Sequence, residues 1–423
     1  MLYVHHPPAS IGERLPSAHD SRLILAARGL RQFSYGLLAV VLAVSLSRAG
    51  FSPPAIGAIV TVSLIGDFCS TYLIGLNADR WGRRRTLAAL AALMATTGAV
   101  FGLTRFYPLL LVAAFFGTLG TSASETAPFL PIEQAMLPQT AAPERRTALF
   151  ARYNLVASLS GALGALFATV PDLLKRAGMD AGLAIRLMFA VYTLCALAVF
   201  ALVSRLSPAV ESKSEVREEP AGETRRRLFP HLGGAGPLVW RLAALFSVDA
   251  LAGGLVVQSL MALYFHLRYG VPLGALGALF FGANLLAALS FLAAAPLARR
   301  IGLLNTMVFT HLPSNVLLIL VPLMPTFPLA ALVLLLRQLL SQMDVPTRQA
   351  YTMALVKPEE RTAAASVTSL ARSAGSAGSP VVSGLLLQGP ALALGLPFLL
   401  AGGLKAVYDL TLWQVFRRVR IER

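Results

Sequence analysis

About twelve apolar runs, each near the roughly 20 residues that a bilayer-crossing helix needs, fill most of this chain and restrict its possible folds. Charged residues make up only 13% of the 423 residues, whereas a soluble domain carries roughly 25%. Because so few charges cannot cover a water-facing surface of this length, the apolar runs must face lipid. The sequence therefore predicts an all-α membrane protein with twelve transmembrane helices.

The predicted helices, numbered here as spans 1 to 12, fall into two sets of six. Their predicted ranges are 24–47, 55–77, 86–104, 108–137, 146–169, 184–204, 238–266, 273–298, 303–323, 328–354, 361–388 and 391–416. A charged stretch with proline and glycine separates the sets and is predicted to be a linker. The predicted organisation is an N-terminal segment 1–22, a bundle 23–204, the linker 205–237, a second bundle 238–416 and a tail 417–423.

Arginine clusters follow spans 2, 4, 6, 8 and 10, and they account for most of the net charge of +16. Membrane proteins keep such loops in the cytoplasm, so both termini are predicted to be cytoplasmic, in a bacterial inner membrane. The predicted partners are the lipid bilayer, a small-molecule substrate and protons, and the chain is predicted to be a monomer that binds no nucleic acid. No cofactor and no metal is predicted, because no phosphate-binding loop, CxxC pair or histidine cluster is present.

An internal repeat relates the two sets of helices. Residues 131–148 align without a gap to residues 346–363, and eight of the eighteen positions are identical. Earlier in the chain Gly82 aligns with Gly302 and Thr86 with Thr306. Repeats of this kind predict two pseudo-symmetric six-helix bundles that enclose a cleft.

The loop between spans 2 and 3, from Gly75 to Thr86, has the sequence GLNADRWGRRRT. It resembles the loop motif of the major facilitator superfamily, roughly G-x-L-A-D-R-x-G-R-R-x-S/T, and only Asn77 departs from it. The resemblance covers about residues 20–417 and implies a secondary transporter that works by alternating access, not an enzyme. The residues that it assigns to this conformational loop are Gly75, Asp79, Arg80, Gly82, Arg83 and Arg84.

Carboxylates inside spans are costly and are candidates for function. We expect Asp67, near mid-membrane, and Glu125 and Glu133 on span 4 to exchange protons, with Glu125 the deeper of the two on span 4. Glu133 is expected near the cytoplasmic end, beside Arg145 or Arg152. For Asp67 the alternative is a structural hydrogen bond to a polar neighbour such as Ser63 or Tyr72.

Other polar residues in the spans are predicted to line the substrate cavity. They are Arg31, Gln32, Tyr35, Asp249, Gln258, Asn284, Arg337, Gln342 and Asp344. Two pairings are expected among them, a gate between Arg31 and Asp249 across the two halves and an internal ion pair between Arg337 and Asp344. The alternative role for Arg337 is contact with an anionic substrate.

The first predicted function is proton-coupled efflux of a drug or metabolite by an antiporter. Two departures from the drug:proton antiporters of this superfamily weaken a drug-antiporter assignment. Ala113 stands where they typically carry an arginine in span 4, and span 5 lacks the proline that often follows the glycine equivalent to Gly164. The second predicted function is a permease for the uptake or exchange of a small organic or inorganic anion, with Arg31, Arg152 and Arg337 as ligands. A third is a membrane receptor or scaffold that transports nothing.

Overall fold

A computed structural model of the chain describes residues 18–120, 128–141, 145–211, 236–356 and 360–419. Within these ranges the chain is helical and contains no strand. Nine of the helices in the described ranges are long and apolar enough to cross a membrane. The prediction of an all-α membrane protein with two six-helix bundles is confirmed.

The described residues of the N-terminal half form eight α-helices, which make up spans 1 to 6. They are α1 (Ala18–Arg48), α2 (Pro53–Trp81), α3 (Arg83–Leu103), α4 (Tyr107–Phe116), α5 (Phe129–Met136), α6 (Arg146–Phe167), α7 (Val170–Arg176) and α8 (Ala181–Ser204). Span 4 comprises α4 and α5, and the short α7 lies between spans 5 and 6.

In the C-terminal half, residues 236–356 and 360–419 form ten α-helices, which make up spans 7 to 12. They are α9 (Gly236–Leu255), α10 (Gln258–Tyr269), α11 (Leu273–Ile301), α12 (Leu303–Leu320), α13 (Phe327–Ser341), α14 (Asp344–Ala354), α15 (Arg361–Ala377), α16 (Ser379–Leu386), α17 (Gly389–Leu394) and α18 (Leu396–Phe416). Spans 7, 10 and 11 each comprise two consecutive helices, and α17 precedes span 12.

Spans 4, 7, 10 and 11 are each interrupted, so the prediction that they are continuous helices was wrong. In span 10 the cause is visible in the sequence. Pro346 has no N–H, and its ring clashes with the carbonyl four residues earlier, at Gln342, where α13 ends. The interruption matters because it separates Arg337 from Asp344 and alters the direction of their side chains.

The structure reproduces the sequence repeat in its backbone geometry. Gly82 and Gly302 both have positive φ, 89° and 86°, and each joins the second span of its half to the third. The hydroxyl of Thr86 donates to the Gly82 carbonyl at 2.9 Å, and Thr306 donates to Gly302 at 2.8 Å. Only glycine adopts such a φ without strain, which explains why both loops carry it.

The two halves meet at one end of the bundle. We call the end with arginines 83–85 and 299–300 the basic end, and the end with Pro53 and Gly384 the opposite end. At the opposite end the Val381 N–H donates to Thr61 Oγ1 at 3.0 Å. The Gly274 N–H donates to Asp172 Oδ2 at 2.5 Å, again across the halves. Gly384 packs against the backbone of Pro53 with no room for a Cβ.

Candidate functional site

A buried ion pair joins span 1 to span 4 in the N-terminal half. Arg31 Nη1 and Nη2 donate to the two Glu133 carboxylate oxygens at 2.5 and 2.7 Å, and the Tyr153 hydroxyl donates to Glu133 Oε2 at 2.6 Å. Arg31 is 0% and Glu133 1% exposed. The Arg31 guanidinium also lies 4.3 Å from the centre of the Phe129 ring. Such a bidentate pair fixes the angle between the two helices.

Two expectations from the sequence are therefore wrong. Glu133 does not lie beside Arg145 or Arg152, because span 4 turns its carboxylate inward to Arg31. Arg31 does not form a gate with Asp249, since both its terminal nitrogens are held by Glu133 within its own half. Arg152 is exposed, which separates it from this cluster.

Asp249 on span 7 is the centre of a second buried cluster. Its Oδ2 accepts from Arg372 Nη1 at 2.8 Å and from Arg348 Nη1 at 3.4 Å, and its Oδ1 accepts from Lys405 Nζ. These three cations come from spans 11, 10 and 12. One carboxylate thus holds together four helices of the C-terminal half.

The expected Arg337–Asp344 ion pair is also wrong. Asp344 Oδ2 accepts from Arg348 Nη1 at 2.8 Å, four residues away on α14. Arg337 Nη1 donates instead to the neutral Gln338 Oε1 at 3.3 Å. The helix break at Gln342 puts the two residues on different helices, so the seven-residue spacing no longer keeps them on one face.

The two clusters occupy equivalent places with inverted charge. In the N-terminal half span 1 supplies the cation and span 4 the anion, whereas in the C-terminal half span 7 supplies Asp249 and span 10 supplies Arg348. The gapless repeat aligns Glu133 with Arg348. Both halves therefore connect their first and fourth spans by an ion pair.

Arg337 is the cation of this region without a carboxylate partner among the described residues. Its side chain is 9% exposed, and its Nε makes no hydrogen bond. Two further buried donors, Gln258 Nε2 on span 7 and Asn284 Nδ2 on span 8, also have no partner in the described structure. A buried donor without an acceptor is costly, so each of these donors favours a ligand that offers an acceptor.

Asn284 lies at the same level as Arg337. Spans 8 and 10 run in parallel, and they touch where Gly282 faces Leu335 and where the Gln342 N–H donates to Ser290 Oγ at 3.2 Å. Those contacts are offset by 53 and 52 residues, and Arg337 follows Asn284 by 53. The amide and the guanidinium thus project from neighbouring helices at one depth.

Asp67 is half-buried on span 2 and has no hydrogen-bond partner among the described residues. It is within electrostatic reach of Tyr35 and Tyr192. The expected alternative, a bond to Ser63 or Tyr72, is absent, and Ser63 Oγ itself is buried without a partner. Glu125 lies outside the described residues. Proton exchange at Asp67, Glu125 and Glu133 stays a prediction.

The remaining predicted cavity residues divide by burial. Gln32 and Tyr35 are buried at 3% and 2% exposure on span 1, where a Cβ on Gly120 would strike the Tyr35 ring. Gln342 is half-buried at the end of α13. Their contact with a substrate stays a prediction.

The loop motif is held by a residue that the sequence did not single out. The backbone N–H groups of Arg83 and Arg84 donate to Glu211 Oε2 and Oε1 at 2.7 and 3.1 Å. The first N–H groups of a helix favour an anion, so Glu211 caps α3. Arg80 is exposed, whereas the surroundings of Gly75 and of the Asp79 side chain are not among those that the structure describes. The conformational role of the motif stays a prediction.

Three residues of the C-terminal cluster were missed. They are His311 on span 9 and Lys405 and Asp409 on span 12, all less than 8% exposed. The signal was present in the sequence, because Lys405 and Asp409 lie four residues apart inside an apolar run. Ionisable residues in a span are functional candidates by default, and two on one helix face strengthen the case.

Known proteins resemble this chain over most of its length. The family model of the Major Facilitator Superfamily matches residues 24–380. An uncharacterized membrane protein of Saccharomyces cerevisiae is 29% identical over 425 residues, which covers 95% of this chain and 94% of that protein.

Solved structures share the fold at low sequence identity. A bacterial homolog of the human lysosomal transporter Spinster, in an inward-facing conformation, has a TM-score of 0.71 at 16% identity and covers 96% of this chain and 99% of its own. The nucleoside transporter NupG has a TM-score of 0.69 at 14% identity, with coverage of 94% and 99%.

Proposed function

The chain belongs to the major facilitator superfamily of secondary transporters, and on that premise we propose that it moves a small anionic solute across its membrane by alternating access. The observation that carries this proposal is Arg337, a buried cation at mid-span with no carboxylate partner among the described residues. A charge in a span is retained at a cost of about 3 kcal/mol or more. An anionic ligand would offset that cost.

The neighbouring charges support the same ligand. Arg372 shares the Asp249 carboxylate with two other cations, and its side chain is 32% exposed. The uncommitted amide donors of Gln258 and Asn284 would complete the set around a carboxylate, sulfonate or phosphate oxygen. In this proposal Arg337 binds the anion, the two amides orient it, and Arg372 contacts it from span 11.

Proton coupling is the second part of the proposal. It is supported by Asp67, a half-buried carboxylate without a described partner on the N-terminal side. Efflux of a drug or metabolite, the first function predicted from the sequence, would use the same proton site, and the solute would then move in the direction opposite to uptake. We also propose that both termini are cytoplasmic and that residues 205–237 link the two bundles. The contacts between the halves at the opposite end fit a state that is open toward the basic end.

A charge-matched ligand series tests the anion assignment. Benzoate, benzamide and benzylamine share a ring and differ in charge, and sulfate adds an inorganic anion. We expect benzoate or sulfate to raise the unfolding temperature of the purified protein, and benzamide and benzylamine to leave it unchanged. Arg337→Gln should abolish the shift, because it removes the buried charge that has no direct ion pair among the described residues.

The matched control is Arg241→Gln, which removes an exposed arginine from α9 and should keep the response to anions. Stabilisation by benzylamine in preference to benzoate would contradict the proposed function. A response to anions that survives Arg337→Gln would remove Arg337 from the site.

A further inference from the structure

A buried histidine–carboxylate pair lies behind the Asp249 cluster, on spans 9 and 12. His311 Nδ1 is 2.9 Å from Asp409 Oδ1, and Asn315 Nδ2 donates to Asp409 Oδ2 at 2.8 Å. His311 is 4%, Asn315 0% and Asp409 1% exposed. Histidine is the side chain that exchanges a proton near neutral pH, so this pair can change its net charge by one.

Lys405 connects this pair to the Asp249 cluster. Its Nζ donates to Asp249 Oδ1, and it precedes Asp409 by four residues on the same helix face. Asp409 is within electrostatic reach of both Lys405 and Asp249, and Asp249 is within reach of His311. One ammonium therefore stands between two carboxylates that compete for it.

Further charged or titratable groups lie near the pair or near Asp249, and they come from spans 7, 10, 11 and 12. Span 12 adds Tyr408, whose ring centre is 6.2 Å from that of His311. Span 7 contributes Asp249. The groups from spans 10 and 11 are Arg337, Asp344, Arg348 and Arg372.

We propose that His311 and Asp409 form a proton-binding site that controls anion affinity at Arg337 and Arg372 through the position of Lys405. The inference rests on the proposed transport of an anion. It assigns the coupling proton to the C-terminal half, in addition to any proton carried by Asp67.

The coupling follows from charge balance. In both states His311 Nδ1–H donates to Asp409, and the exchanged proton binds Nε2. With the imidazole protonated, its charge neutralises Asp409. Lys405 then stays on Asp249 and balances its charge, so Arg372 can leave Asp249 for the anion. When the proton leaves, Asp409 attracts Lys405. Asp249 then relies on Arg372 and Arg348, and Arg372 is withdrawn from the anion.

Binding at two pH values tests this scheme. Benzoate and sulfate are suitable probes, because both stay ionised throughout. In the wild type the Kd of the anion that binds should fall about tenfold between about pH 8.5 and about pH 5.5. Calorimetry with the full chain in lipid nanodiscs gives the Kd directly.

Two variants should fix opposite states. His311→Gln removes the proton and should hold the weak, high-pH Kd at both pH values. Asp409→Asn removes the competitor for Lys405 and should hold the tight, low-pH Kd at both. His266→Gln, which alters a half-buried histidine at the end of α10, should keep the wild-type pH dependence.

The outcomes separate this inference from the proposed function. If benzoate and sulfate bind the wild type but the pH dependence persists in His311→Gln and Asp409→Asn, the inference is overturned and the anion site stands. The inference would also be overturned if both variants bound the anion more weakly than the wild type and responded equally to pH. If neither anion binds the wild type at either pH, the proposed function fails and the inference fails with it.

Discussion

Asp249→Asn is expected to destabilise the protein by about 3–5 kcal/mol, because it leaves buried cations without their shared counter-ion. Lys405, Arg372 and Arg348 all contact this carboxylate, and Lys405 and Arg348 are less than 10% exposed. An asparagine can accept hydrogen bonds but cannot balance the charge. The unfolding temperature in detergent, measured beside the wild type, shows the effect.

Asp344→Asn is the matched control for this change. It removes an equally buried carboxylate, but its partner Arg348 keeps its contact with Asp249. We therefore expect a clearly smaller loss of stability. The double variant Asp249→Asn with Lys405→Gln should recover part of the stability. If Asp249→Asn had the same unfolding temperature as the wild type, the cluster would not stabilise the C-terminal half.

Glu133→Gln is expected to cost a similar amount, about 3–5 kcal/mol, in the N-terminal half. The substitution leaves Arg31 charged, fully buried and without its bidentate partner. Transport should also be lost, since the pair sets the angle between spans 1 and 4. Thermal unfolding of Glu133→Gln and Arg31→Gln measures the two single changes.

The double variant Arg31→Met with Glu133→Leu distinguishes charge from packing. Replacing a whole buried ion pair by apolar residues of similar volume is often neutral or stabilising. We expect the double variant to melt near the wild type, whereas both single variants melt far below it. If the double variant were as unstable as either single one, the pair would contribute through its shape and not through its charge.

The fold could be predicted from the sequence because lipid imposes a simple pattern. Helices in a bilayer must satisfy their own backbone and present apolar side chains, so hydropathy alone predicts the spans. The repeat and the glycines at 82 and 302 were equally visible, because a positive φ demands glycine. The helix breaks were not predicted, although Pro346 and Pro131 occupy the same position in the repeat.

The sequence analysis named residues of the candidate site but did not predict which of them contact each other. Asp249, Arg337, Gln258 and Asn284 were named because buried polar residues in spans are costly. Their pairing was not predictable, since Asp249 draws its partners from three other spans and no sequence spacing encodes such contacts.

Disulfide locking of the opposite end tests the central claim most directly, that the halves must separate there for transport. Thr61→Cys and Val381→Cys, in a background with Cys69→Ser and Cys195→Ser, place one thiol on each side of the contact between α2 and α16. In proteoliposomes, oxidation should stop movement of labelled benzoate or sulfate, and reduction should restore it. Transport that continues at the wild-type rate with the disulfide intact would contradict alternating access by this protein.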